Sequence, residues 1–202
     1  MPNRSSLPPP TGPGALGARP WFATADIARA LGIRRESARV AASRWSRRGL
    51  TYRLKNDFYV RAEGWESRAR EEQFRIAAFL RVPSYLSLLT ALSYHGVSTQ
   101  VQRSIVESIS LRRPSRHTAG GVEFRFYKTH PKLFGGFKRE DGYFMASPEK
   151  ALVDAVHLSL YGSYGLDRAA LSSRRLDRRR LLAMLRPYPA RTVAATRALC
   201  GI

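Results

Sequence analysis

The chain has 202 residues, 35 Lys plus Arg against 15 Asp plus Glu, and a formal net charge of +20. The length allows one large domain or two small ones with a real core, and 44% hydrophobic residues exclude a wholly disordered chain. A surplus of this size points to a polyanionic partner, nucleic acid before an anionic membrane. Only five of the basic residues are Lys, a bias that GC-rich codon use also produces, but codon bias does not remove Asp and Glu. The single cysteine, Cys200, excludes a disulfide framework and fits a reducing cytosol. The four His (95, 117, 130, 157) offer no zinc spacing. No apolar run approaches the ~20 residues that span a bilayer, and the N-terminus lacks the apolar core of a signal peptide. A cytoplasmic protein without cofactor, metal or membrane partner is expected.

Residues 1–20 hold six Pro and three Gly and read as a disordered lead-in of charge +2. Residues 21–61 carry +7, residues 62–165 only +4, and residues 166–202 again +7. The charge therefore sits in two short blocks around a nearly balanced middle.

In the first block, residues 24–32 predict a short helix with Thr24 as N-cap and Gly32 as its end. A second helix comes next over 34–48, closed by Gly49. Ala38, Ala41, Ala42 and Trp45 recur at i, i+3, i+4 and i+7 and predict its buried stripe. Arg35, Arg39, Ser43 and Arg47 recur every four residues on the opposite side. Residues 50–60 then read as a hairpin with Lys55-Asn56-Asp57 at its tip. This order, helix, turn, basic helix, hairpin, is that of a winged helix-turn-helix. Its Arg face suits the major groove of DNA, and Arg53 and Lys55 on the wing suit phosphates or the minor groove. Glu36 is the one carboxylate between Arg34 and Arg48, whereas a merely solvated helix interleaves signs. The expected DNA-binding set is Arg34, Arg35, Ser37, Arg39, Ser43, Arg47, Arg53 and Lys55. The Pro/Gly-rich lead-in leaves little room for a preceding helix, so the small domain is expected to borrow core from the downstream chain.

In the middle, residues 66–80 predict a helix with Phe74, Ala77, Ala78 and Leu80 inward, ended by Pro83. Residues 84–96 predict another, capped by Ser84 and stopped by Gly96, with His95 serving its C-terminus. Strands are expected at 105–111, 122–128 and 143–146. Ser147-Pro148-Glu149 opens a further helix with Ser at N-cap and Pro at N1. Within it, Lys150 and Asp154 read as an i,i+4 pair worth a few tenths of a kcal/mol, ~0.2–0.5.

Three segments in this order, GLTYRLKNDFYV after the basic helix, SYLSLLTALSYHGV and ASPEKALVD, resemble the AbiE-type (AbiEi) antitoxins of bacterial type IV toxin–antitoxin pairs. The resemblance covers about residues 21–160. It implies an N-terminal domain that binds repeated operator DNA and represses its own operon. It also implies a C-terminal domain that counters a neighbouring nucleotidyltransferase toxin in abortive infection, an antiviral defence. The departures are the absent first helix, a wing tip without Gly, and a short Arg-heavy C-terminus.

An enzyme is not expected. A metal-dependent nuclease needs converging acids and a positioned Lys, but Glu149-Lys150 are neighbours at a helix start and Glu140-Asp141 lies in a loop. A Ser/His/acid set can be composed from Ser87, His95 and Asp154, without a Gly-x-Ser-x-Gly turn to expose the Ser.

Residues 166–202 predict two helices with Leu171, Leu176, Leu181, Leu182 and Leu185 as the apolar set. Arg174, Arg175, Arg178, Arg179 and Arg180 form a dense cationic surface, a second site for nucleic acid or toxin. The expected fold is α+β: a winged helix over 21–62, then a mixed helix–sheet domain over 63–202 with a helical C-terminus. The expected function is a DNA-binding antitoxin, monomer or weak dimer on DNA. The alternatives are a stand-alone winged-helix transcriptional regulator and a nuclease-type defence effector.

Overall fold

A computed structural model describes residues 12–17, 19 and 21–202. Among them the chain is a mixed α+β protein of seven α-helices and two sheets. No helix of the described residues is long and apolar enough to cross a membrane. The chain divides into two compact units, Met1–Arg68 with Thr118–Gly121, and Ala69–His117 with Val122–Ile202.

The first unit holds β1 (Trp21–Phe22), α1 (Thr24–Leu31), α2 (Arg35–Arg47), β2 (Thr51–Lys55) and β3 (Phe58–Arg61). The three strands form an antiparallel sheet in the order β1-β3-β2. Leu16, Phe22, Ile27, Ala38, Ala42, Trp45 and Tyr59 make one buried cluster, with Ala41 packed on it. The small alanines let α2 approach the core, and Trp45 meets Phe22 edge-on at 6.4 Å.

Two local expectations change here. The N-cap of α1 is Ala23, not Thr24; Thr24 is the buried first helical residue. The helix start is served by two carboxylates instead of a local hydroxyl. Asp26 accepts the Ala23 N–H at 2.9 Å, and Asp57 accepts the Thr24 N–H at 2.7 Å. The lead-in expected over 1–20 lies partly outside the described residues, but Pro13–Leu16 forms a 3-10 turn whose Leu16 is buried. The Arg61 guanidinium holds this turn through the carbonyls of Pro13 and Gly17. The core that a preceding helix would supply is thus completed by a segment upstream of α1.

The second unit holds α3 (Arg70–Leu80), β4 (Ser84–Leu86), α4 (Leu88–Tyr94), β5 (Ile105–Ser110), the first three residues of β6 (Ser115–Ala119), β7 (Val122–Lys128), β8 (Phe137–Arg139), β9 (Phe144–Ala146), α5 (Pro148–Leu160), α6 (Arg178–Leu185) and α7 (Ala190–Cys200). The six-stranded sheet runs β6-β7-β5-β4-β9-β8, with parallel pairing of β5 to β7 and of β4 to β9. The helix expected to be capped by Ser84 is capped by Ser87 instead, three residues later. Residues 84–86 are a central strand instead, with Tyr85 opposite Ile109 and Leu86 opposite Ser108 and Met145. The run Tyr85-Leu86-Ser87-Leu88-Leu89 is short and mostly apolar and satisfies both periods, and sheet pairing decided between them. Likewise residues 66–69 precede α3 instead of opening it. Ser147 caps α5 as expected, accepting the Lys150 N–H at 3.2 Å. Helix α5 is buried along most of its length, packed by α4, α6 and α7.

Candidate nucleic-acid interface

Helix α2 turns Ala38, Ala42 and Trp45 inward, which forces Arg35, Ser37, Arg39, Ser43 and Arg47 to the exposed side. Strand β2 begins beside the end of α2, where the Ser46 and Thr51 hydroxyls meet at 3.0 Å. The β2–β3 hairpin therefore rises next to the exposed face of α2. Between them lies a cleft of about 670 Å³ lined by Arg39, Ser43, Arg47, Arg53 and Asn56, among others. Four of the eight expected DNA-binding residues are thereby brought to one concave surface: three from the helix and Arg53 from the hairpin.

The other four stand elsewhere. Arg34 is the exposed N-cap residue of α2, and Ser37 lies exposed in its first turn. Lys55 places its ammonium 5.4 Å over the Phe58 ring. Arg35 pairs with Asp57 at 3.1 Å. Seen along the chain, α2 has one acid, Glu36; in space the hairpin turn adds a second. Asn56, Asp57 and Ser46 also line the cleft and were not in the expected set. The Asn-Asp pair at the hairpin tip was the available signal, but its reach to α1 and α2 is a tertiary property.

Asp57 occupies a left-handed backbone conformation, φ +57°, in the two-residue turn between Lys55 and Phe58. Glycine adopts it freely, and Asp is among the few other residues that tolerate it. Burial pushes the Asp57 carboxyl up, but the hydrogen bonds from Thr24 and the Arg35 guanidinium outweigh it and hold the group below the usual range. Arg53 donates to Asn56 Oδ1 at 2.5 Å, steadying the hairpin tip from its own strand.

The second unit has a buried polar network that the local sequence does not announce. Lys150 and Asp154 are each 3% exposed and meet at 2.5 Å. Lys150 also donates to the Leu133 carbonyl at 2.8 Å and to the Tyr188 hydroxyl. Asp154 accepts from Tyr188 at 2.7 Å and from Tyr85 and Ser87 at 2.9 Å each. All three ammonium protons and both carboxylate oxygens are used. Burial pushes the Lys150 ammonium down, against the pull of Asp154. The few tenths of a kcal/mol expected for an exposed pair therefore do not describe it. Buried pairs are governed by desolvation and by the bonds that offset it.

Ser87, His95 and Asp154 do not assemble as a relay. Ser87 donates to Asp154, while the His95 Nε2–H donates to the Ala146 carbonyl at 2.9 Å. His95 follows α4 as its C-cap residue, but its ring serves β9 instead of the helix end. The strand-to-helix turn is strained, with φ +56° at Leu88, so a left-handed turn stands where none was expected; its side chain is a buried leucine.

In the C-terminal segment, Leu181 and Leu185 bury one face of α6, and Tyr188 ties the following turn into the network. The Asp177 N–H donates to the buried Glu149 at 3.1 Å, and Asp177 caps α6 through the Arg180 N–H at 3.0 Å. Arg174, Arg175, Arg178, Arg179 and Arg180 are exposed on this anchored frame.

No family's sequence profile matches the chain, and no curated protein matches it significantly. Among solved structures it is similar to the Rv2827c protein from Mycobacterium tuberculosis, with a TM-score of 0.57 and 14% identity over 93% of this chain and 73% of that one. At that identity the likeness is one of fold.

Proposed function

We propose that the first unit is a winged helix-turn-helix that binds operator DNA, and that the chain is an antitoxin-type autorepressor. The cleft between α2 and the β2–β3 hairpin carries this reading, because it gathers Arg39, Ser43, Arg47 and Arg53 on one surface. A helix with one apolar side and Arg on the other enters the major groove while resting on a small core, and a hairpin beside it reaches the flanking backbone. In this reading α2 is the recognition helix and β2–β3 the wing.

The antitoxin half rests on the resemblance of the three sequence segments to the AbiEi antitoxins. The second unit is proposed to counter a nucleotidyltransferase toxin encoded beside this chain, with no catalytic role of its own. The exposed Arg174–Arg180 surface is its proposed contact with nucleic acid or with the toxin. A nucleotidyltransferase reading frame next to this gene favours the antitoxin; its absence favours the stand-alone regulator.

The direct experiment measures binding to a duplex taken from immediately upstream of the chain's own reading frame, against a scrambled duplex of equal length. Arg39→Ala should cost about 1–3 kcal/mol on the upstream duplex and relax its sequence preference. Equal losses on both duplexes would make Arg39 a phosphate contact and remove its base-reading role.

A further inference from the structure

Three elements converge on one carboxylate. Asp57 Oδ1 accepts the Thr24 N–H of α1 at 2.7 Å, and Oδ2 accepts the Arg35 guanidinium of α2 at 3.1 Å, while its backbone makes the hairpin turn. An acid at the rim of a cleft that should attract phosphate is a liability on charge alone. It also stands at a positive φ, where glycine would be easier. Both costs are explained if the carboxylate performs work that glycine cannot.

We infer that Asp57 is a positioning residue that clamps the hairpin to the starts of α1 and α2, and that Arg35 is its brace and not a DNA contact. The clamp sets the spacing between Arg53 on the hairpin and Arg39, Ser43 and Arg47 on α2. It works from both ends, since the Thr24 amide belongs to the positive end of α1, where an anion is favoured. Arg35 sits one turn before Arg39 on the helix, so holding it also fixes the near end of the recognition face.

The inference rests on the DNA-binding reading, and its test keeps the two apart. Asp57→Gly, Asp57→Asn and Arg35→Ala are compared with the unaltered chain for binding to the upstream duplex across a salt series. Amide exchange of Thr24 is followed in the same proteins. Asp57→Gly should bind about tenfold more weakly, the equivalent of one lost charged hydrogen bond. The Thr24 amide should lose protection in that variant. Arg35→Ala should bind roughly threefold more weakly with the salt slope of the unaltered chain, because Arg35 neutralises no phosphate. Asp57→Asn keeps the turn and the shape, and should weaken binding despite removing a negative charge.

Tighter binding by Asp57→Asn or Asp57→Gly would show a merely repulsive acid and overturn the clamp. A salt slope reduced by about one in Arg35→Ala would make Arg35 a phosphate contact and do the same. Undiminished Thr24 protection in Asp57→Gly overturns it without reference to DNA. If the unaltered chain binds neither duplex, it is the DNA reading that fails, whatever the exchange data show.

Discussion

Glu107 is 1% exposed in the central strand β5, and its carboxylate accepts the Leu89 N–H and the Tyr164 hydroxyl, each at 3.1 Å. Those bonds hold the turn where Leu88 takes its left-handed conformation. Burial raises the Glu107 carboxyl above its ordinary 4.5, opposed by Tyr164, Leu89 and Arg125. The folded chain thus binds this proton more tightly than the unfolded chain. The stability it contributes is complete below about pH 4.5 and is lost as pH rises through the folded value. Glu107→Gln keeps an acceptor for Leu89 and cannot titrate. Its stability relative to the unaltered chain should therefore rise over that window, by about 1.4 kcal/mol per unit of raised pKa. Urea unfolding at a series of pH values measures the difference, and a difference constant with pH would refute the account. The same scale shows where sequence reading stops. Arg39, Ser43 and Arg47 were legible because a helix with three buried positions leaves its other side no choice. Asp57 was not, because its partners lie 33 and 22 residues away in the chain.

Among the elements, the 3-10 turn Pro13–Leu16 adds a buried side chain to the core of the first unit. Composition marks it as a lead-in, yet Leu16 is 7% exposed in the same cluster as Phe22, Ile27 and Trp45. Leu16→Ala should destabilise the first unit by about 2–5 kcal/mol, the usual cost of emptying a buried leucine site. Hydrogen exchange of α1 and α2 amides reads it; protection equal to that of the unaltered chain would show the turn to be a passenger. Helices with clear stop signals were read well: Gly32 ends α1 in a left-handed conformation and Ser147 opens α5. Elements chosen by neighbours were not. Ser84–Leu86 became a strand because β5 and β9 flank it. Short β8 carries a polar, exposed pattern that announces no strand.

For the whole molecule, the charge distribution remains the guide. The first basic block supplies the cleft, and the second supplies Arg178, Arg179 and Arg180 at the start of α6, where the positive helix end disfavours cations and Asp177 is the one acid beside the three. Replacing these three by Glu in the intact chain should weaken duplex binding and abolish neutralisation of the nucleotidyltransferase toxin proposed above, if the second unit acts by competing for nucleic acid. Co-expression growth assays and the salt dependence of duplex binding test this together. Unaffected neutralisation with weakened duplex binding would sink the competition idea and assign the cluster to the operator.

What the sequence determined by itself was local or compositional. It set the surplus of positive charge and its two blocks, the amphipathic basic helix, the hairpin after it and the cap of α5. These depend on residues a few positions apart, whose periods and caps are the same in any tertiary setting. Tertiary structure decided the rest: the cleft joining helix to hairpin, the carboxylate that clamps it, the strand at 84–86 and the buried Lys150–Asp154 network. Each needs segments distant in the chain to meet, and in the strand and the buried network pairing and desolvation outweigh local preference.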